Sequence, residues 1–134
     1  MNILVNVLTN LRNNVRVGNR SFIQRYHSRF VREVLQKLVD TGYLTYVKQI
    51  PASKKPQNRL THLEIGIAPI LNNCAGVSPQ FVLRYRQIEQ MEQRFLPAVE
   101  IGLLLLSTTQ GIRTNRELRL MEQPIGGKLL GYVF

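Results

Sequence analysis

The apolar positions of this chain change their spacing several times, and each change predicts an element. Ile3, Leu4, Val7, Leu8 and Leu11 recur every three or four residues, the mark of one helix face, with Asn2 placed to cap its start. Val15 to Ile23 reads as a short, interrupted strand with a Gly18-Asn19 turn in its middle. Ser28 then caps a helix whose stripe is Phe30, Val31, Val34, Leu35, Leu38 and Val39, broad enough to pack on a sheet. Thr41-Gly42 closes it, since glycine suits the left-handed position past a helix end. Tyr43 to Ile50, rich in aromatic and β-branched residues, predicts a strand. "PASKKPQN" after it is a basic loop, and Leu60 to Ile67 returns as a strand with Leu63, Ile65 and Ile67 alternating.

"APILNNCAG" combines a proline, two adjacent asparagines and a glycine, which marks a boundary. Beyond it the elements shorten. Phe81 to Arg86 reads as a strand, and "QIEQMEQRF" as a helix with Ile88, Met91 and Phe95 on one face. Leu103 to Leu106 is an apolar run that predicts a buried strand. Thr114-Asn115-Arg116-Glu117 has the spacing of a capping box and starts a short helix. Gly126-Gly127 reads as a turn into a last strand, Lys128 to Phe134. The expected fold class is α+β with two small subdomains: an α-β-α-β-β unit over residues 1–70, and a mostly β unit with short helices over residues 71–134.

A hydrophobic share of 44% argues for a packed core and against disorder. The single cysteine, Cys74, excludes an internal disulfide and a four-cysteine zinc site. The most apolar segment, Ile101 to Leu106, falls far short of the roughly 20 residues a bilayer helix needs. The N-terminus lacks a charged leader and a small-residue cleavage site, so it reads as the first helix of the fold. His27 and His62 have no companion at metal spacing. Ser107, Thr108 and Thr109 lack a base, and no glycine pattern forms a phosphate loop. The chain therefore reads as no enzyme, with no cofactor, no metal and no small-molecule substrate.

Charge changes the picture most. Lysine and arginine number 18 against 8 acids, a net charge of +10 that speaks for an anionic partner. Nucleic acid comes first, an anionic membrane surface second. Most of the cations are arginine, which favours forked recognition of phosphates. Arg12, Arg16 and Arg20 lie around the end of the first helix, and Arg25, Arg29 and Arg32 around the start of the second. Tyr26 and His27 add flat rings able to stack on an unpaired base. The mixture recurs at Lys54, Lys55 and Arg59, and at Arg84, Tyr85 and Arg86. Contacts spread over both halves suit a large, structured nucleic acid, although each residue taken singly is equally a solvated face.

The closing third, "GLLLLSTTQGIRTNRELRLMEQPIGGKLLGYVF", resembles the C-terminal domain of the eighth small-subunit ribosomal protein, of bacterial or organellar type. That family has a glycine-led apolar strand, a Ser-Thr-Ser/Thr-x-Gly loop, a helix start after Ile/Val-x-Thr-Asn/Asp, and a Gly-Gly-led final strand. Here the loop is Ser107-Thr108-Thr109-Gln110-Gly111, followed by Ile112, Thr114-Asn115 and Gly126-Gly127. "VLTNLRNN" is similar to the family's first helix end, and "HSRFVREVLQKLVDTGYL" to its second helix and turn. The resemblance runs through nearly the whole chain in order.

The resemblance implies a constituent of the small ribosomal subunit that binds the central domain of small-subunit ribosomal RNA, beside neighbouring small-subunit ribosomal proteins and with no membrane partner. It places RNA contact on Ser107, Thr108, Thr109 and Gly111, with Thr9, Arg12, Asn13, Ser28 and Arg29 as a second set. Arg32, Lys54, Lys55, Arg84 and Arg86 join them by charge. Hydroxyls both donate and accept, which suits 2′-hydroxyls and base edges in a shallow minor groove. A plain turn, with the hydroxyls bonding their own backbone, is the competing reading of the loop. The chain departs from the family pattern in "VSPQFVLRYRQ", which keeps Ser78, Pro79 and Arg84 but loses a Pro-Gly turn, and at Lys128, where glutamate is usual. These departures, with no evident transit peptide, point to an organelle-encoded, mitochondrial protein more than a bacterial one. A free-standing RNA chaperone or translational regulator, and a basic peripheral membrane protein, are the other classes open to such a surface.

Overall fold

The computed structural model describes residues 3–51, 61–98, 101–121 and 125–134. In chain order it contains helix α1 (Ile3–Arg16), strand β1 (Ser21–Gln24), helix α2 (Arg29–Asp40) and strands β2 (Leu44–Pro51), β3 (Thr61–Ile67) and β4 (Cys74–Leu83). A 3-10 turn over Tyr85–Gln87 leads into helix α3 (Ile88–Phe95), then strands β5 (Leu103–Thr108) and β6 (Gly111–Thr114), helix α4 (Asn115–Leu120) and strand β7 (Gly127–Val133). The fold is α+β. One antiparallel sheet has the order β1-β3-β2, the other β4-β7-β5-β6.

Helix α1 buries Leu4, Val7, Leu8 and Leu11, the expected stripe. The expected N-cap, Asn2, lies outside the described residues. The helix runs on through Val15 and Arg16, so the strand expected from Val15 shrinks to Ser21–Gln24. Gly18-Asn19 is no turn within a strand. It is the helix end: the N–H of Gly18 donates to Val15 O at 3.2 Å and that of Asn19 to Asn14 O at 3.0 Å, with Gly18 at φ 81°. These are the paired bonds that satisfy the last carbonyls of a helix. Helix α2 ends the same way at Gly42, after the Oγ of Ser28 accepts from Val31 N at its start. It buries Val31, Val34, Leu35 and Leu38, while Phe30, expected in the stripe, is exposed.

Strand β4 starts at Cys74, seven residues before the strand expected from Phe81, and ends at Leu83. Tyr85 and Arg86 therefore sit in the 3-10 turn, where Gln87 Oε1 accepts from the N–H of Arg84 at 3.0 Å. The strand β6 was not predicted; at four residues it carries too little alternation to register. At α4 the Oγ of Thr114 accepts from Glu117 N at 3.3 Å, but the carboxylate of Glu117 reaches Lys37 and Arg113 instead of turning back to the cap. Only half of the expected capping box forms.

The run of four leucines has a plain cause. Leu103 and Leu105 point into a core shared with α1, α2 and β3, and Leu104 and Leu106 into a second core with α3 and α4. A strand covered on both faces reads as a continuous apolar run instead of an alternating one. The first core joins residues on both sides of the expected boundary, from Leu4 and Leu35 to Leu71, Cys74, Leu130 and Val133. A Cβ on Gly76 in β4 would stand 2.8 Å from Val5 Cγ2 in α1, so the helix lies directly on that strand. Lys37 Nζ of α2 meets Glu117 Oε1 of α4 at 2.6 Å and adds a polar tie across the same division.

Two outcomes follow for stability. Leu105→Ala should cost about 2–5 kcal/mol, as buried leucine truncations do. Calorimetry should still show one transition, and two separate peaks would mean that the halves melt independently. Cys74 gives a pH dependence. Its thiol, fully buried and donating to Leu8 O at 3.3 Å, is pushed from 9.0 up to about 12, chiefly by burial, with the charge of Arg12 working against the rise. A folded pKa above the unfolded one means that the stabilisation is complete below pH 9 and lost as pH climbs towards 12. Unfolding free energies of the natural chain from denaturant titrations should therefore fall faster across this range than those of Cys74→Ala, by on the order of 1 kcal/mol per pH unit.

Candidate nucleic-acid interface

The hydroxyl stretch is the tip of the β5–β6 hairpin, where Thr108 pairs with Gly111 across Thr109 and Gln110. Gly111 has φ 100°, a conformation that side chains other than hydrogen resist, and a Cβ there would meet nothing within 4 Å. The backbone at the tip therefore borders open space. The three hydroxyls differ. Thr108 Oγ1 donates to Gly111 O at 2.8 Å and accepts from Gln110 N at 3.1 Å, so it is spent on shaping the turn. Ser107, half-buried, and Thr109, exposed, have no hydrogen-bond partner for their hydroxyls among the described residues. The turn reading of the sequence thus describes Thr108, and the other two hydroxyls are left to face outward.

The hairpin forms one side of an open groove of about 540 Å³. Its other side is the end of β4 with Arg84 and Tyr85, and its floor is the start of β7. Ser107 pairs with Lys128 and Lys128 with Val82, so these three side chains share one face of the sheet. Arg84 and Lys128 are exposed and carry no ion pair among the described residues, so both charges face solvent at the groove. Gly126-Gly127, expected as a turn, is a close approach: a Cβ on Gly127 would stand 2.9 Å from both Ser107 O and Thr108 Cγ2, and one on Gly126 would collide with Leu83 O. The two glycines let β7 enter between β4 and β5 and bring Lys128 beside Ser107.

The second set of expected residues is divided by the fold. Thr9 faces a groove between α1 and β1, beside Asn6, Asn10, Gln24 and Tyr26. Arg12 turns towards β4, near Cys74, with its Nε buried and without a partner. Asn13 is exposed. Ser28 serves as the α2 cap, and Arg29 is an exposed residue paired with Glu33 at 3.4 Å, a contact worth well under ~1 kcal/mol. Arg32 Nη1 donates to His27 Nδ1 at 2.9 Å, which leaves His27 Nε2 to donate to Thr61 O at 2.9 Å. His27, expected as a stacking ring, is instead a bridge from α2 to β3. Arg86 faces a different groove, with Glu89, Glu92 and Arg119. Lys54 and Lys55 lie outside the described residues.

Lys128 stood in the sequence only as a departure from the family pattern, and strand register is what sets it beside Ser107; Tyr85, expected in a basic and aromatic cluster with Arg84, lines the same groove. Four acids, Glu33, Glu64, Glu92 and Glu117, are engaged in ion pairs, which leaves the cationic surplus unopposed over much of the surface. Among the described residues no three His, Cys, Asp or Glu side chains gather as a metal site, and no helix is long and apolar enough to cross a membrane. A melting series separates the roles of the hydroxyls. Thr108→Val should lower stability by about 1 kcal/mol, the worth of the bonds it removes. Ser107→Ala and Thr109→Ala should shift it by less than roughly 0.5 kcal/mol.

A family model described as ribosomal protein S8 matches residues 2–134. The chain is 32% identical over 131 residues to the small ribosomal subunit protein uS8 of Thermoplasma volcanium, covering 98% of this chain and 96% of the relative. The protein of the same name from Thermoplasma acidophilum matches with the same identity and the same coverage.

Proposed function

The chain belongs to the ribosomal protein S8 family, a family of structural, non-enzymatic proteins, and from this premise we propose that it is a constituent of the small ribosomal subunit that binds the central domain of small-subunit ribosomal RNA. The observation that carries the reading is the groove at the β5–β6 tip, where the hydroxyls of Ser107 and Thr109, without a partner among the described residues, share the lining with the solvent-facing charges of Arg84 and Lys128. Short uncharged donor–acceptors suit 2′-hydroxyls and base edges, while cations on either side hold phosphates. The groove is open to solvent, as contact with the wide minor groove of an RNA helix requires.

Labour divides along the chain in this reading. The unit over 71–134 discriminates through its hydroxyls. The unit over 1–70, with Arg16, Arg20, Arg25 and Arg29 on its surface, adds affinity with less sequence preference. Thr108 and Gly111 act by shaping the tip, and Arg32 and Ser28 by fixing the start of α2. Neighbouring small-subunit proteins complete the surroundings. We read the particle as a mitochondrial one, on the departures at 78–86 and at Lys128; the two relatives above are archaeal, and cofractionation with mitochondrial small subunits is the check. Absence of the chain from every ribosomal fraction would favour a free-standing RNA regulator.

Binding to a central-domain RNA fragment tests the site. Ser107→Ala and Thr109→Ala should each weaken binding by about 1–3 kcal/mol, because a polar partner on the RNA is left unpaired. Their plots of log affinity against log salt should keep the slope of the natural chain, since no charge is lost. Arg84→Gln and Lys128→Gln should instead flatten that slope by roughly one unit or less each. Full affinity in all four variants would remove the groove from the interface.

A further inference from the structure

A second groove, of about 490 Å³, lies between α1 and β1 and is lined by Ile3, Asn6, Thr9, Asn10, Gln24 and Tyr26. In a chain of net charge +10, none of these six residues is charged. Four carry an amide or aliphatic hydroxyl, and the fifth polar residue, Tyr26, is 77% exposed. A groove of this composition repels neither a cation nor an anion and is equipped to hydrogen-bond a neutral, flat group.

The amides are ordered. Gln24 is a buried polar residue at the end of β1, only 5% exposed. Its Oε1 accepts from Asn10 Nδ2 at 3.0 Å, and its Nε2 donates to Tyr26 O at 3.0 Å. Because Asn10 gives its amide nitrogen to Gln24, its Oδ1 is left as an oriented acceptor. The side chains of Asn6 and Thr9 have no partner among the described residues and supply both donors and acceptors. Asparagine is among the poorer helix formers, yet α1 carries it at positions 6, 10, 13 and 14. Packing does not ask for Asn6, which is exposed.

We propose that this groove receives one unpaired nucleobase of the bound RNA, stacked on the ring of Tyr26 and held by its edge to Asn6, Thr9 and Asn10. The inference rests on the reading of the chain as an RNA-binding protein. Unpaired bases are recognised by aromatic stacking with hydrogen bonds to their edges, and a side-chain amide offers the adjacent donor and acceptor that a base edge presents.

The test measures the affinity of the full chain for a central-domain RNA fragment. Tyr26→Ala should weaken binding by about 5- to 100-fold, the range for loss of one stacked base. Tyr26→Phe, which keeps the ring, should stay within roughly twofold. Asn6→Ala should weaken it by about 5- to 10-fold, as loss of a hydrogen bond does. None of the three should change the salt slope, because none removes a charge. Melting temperatures unchanged from the natural chain would exclude a folding defect. If Tyr26→Ala and Asn6→Ala bind as tightly as the natural chain while Ser107→Ala is weakened, the base site is wrong and the RNA reading stands. If the natural chain shows no preference for that fragment over an unrelated duplex, both fail.

Discussion

The burial of β5 on both faces is the constraint on which the rest depends. Leu103 and Leu105 fill the core beneath α1 and α2, and Leu104 and Leu106 fill the one beneath α3 and α4. A strand so placed has no solvated face until it leaves the cores. It leaves them at Ser107, and the first polar side chains emerge at the end of a strand buried on both faces. Side chains at the end of a well-packed strand have little further freedom to lose on meeting a partner. Asn115 strengthens the arrangement: buried, it accepts from the N–H of Leu104 at 3.0 Å and ties α4 to the strand.

Electrostatics divides between holding the fold and presenting charge. Glu117 takes Lys37 on one oxygen and Arg113 on the other, and so links α2, β6 and α4 behind the hairpin. Glu92 takes Arg119 between α3 and α4. Acids are few, and those within the described elements are mostly used inward or along helices, so cations such as Arg84 and Lys128 remain outward without ion-pair partners among the described residues. A basic surface of this kind speeds encounter with a polyanion but does not select among polyanions. In the proposed reading, selection would fall to the uncharged groups, the hydroxyls at the hairpin and the amides along α1.

Much of the architecture was legible because helical and strand periods are strong signals where one face is buried. The stripes of α1 and α2, the cap at Ser28, the glycine end at Gly42 and the leucine run of β5 were all readable. Failures cluster where a local cue has two physical meanings. Gly18-Asn19 and Gly126-Gly127 both look like turns; one closes a helix, and the other makes room for two neighbouring backbones. Val15 and Arg16 look extended because β-branched residues favour strands, yet the packing of α1 carries the helix through them. His27 looked like a surface ring, and only a contact with Thr61, 34 residues away, reveals it as a bridge.

The sequence by itself determined the α+β class, the stripes of α1 and α2, the apolar run that becomes β5 and the strongly positive charge of the chain, because these follow from periodicity and composition within single segments. It also brought forward the three hydroxyls, since polar residues at the end of a buried strand are conspicuous. Tertiary structure decided which hydroxyls are available, because Thr108 is consumed by the turn and Ser107 and Thr109 are not. It also decided that Lys128, Arg84 and Tyr85 join them while Arg86 does not. Those facts depend on strand pairing, and pairing is set by packing between β4, β5 and β7, whose partners lie up to 59 residues apart in the chain, as Cys74 and Val133 do, and no local pattern records it.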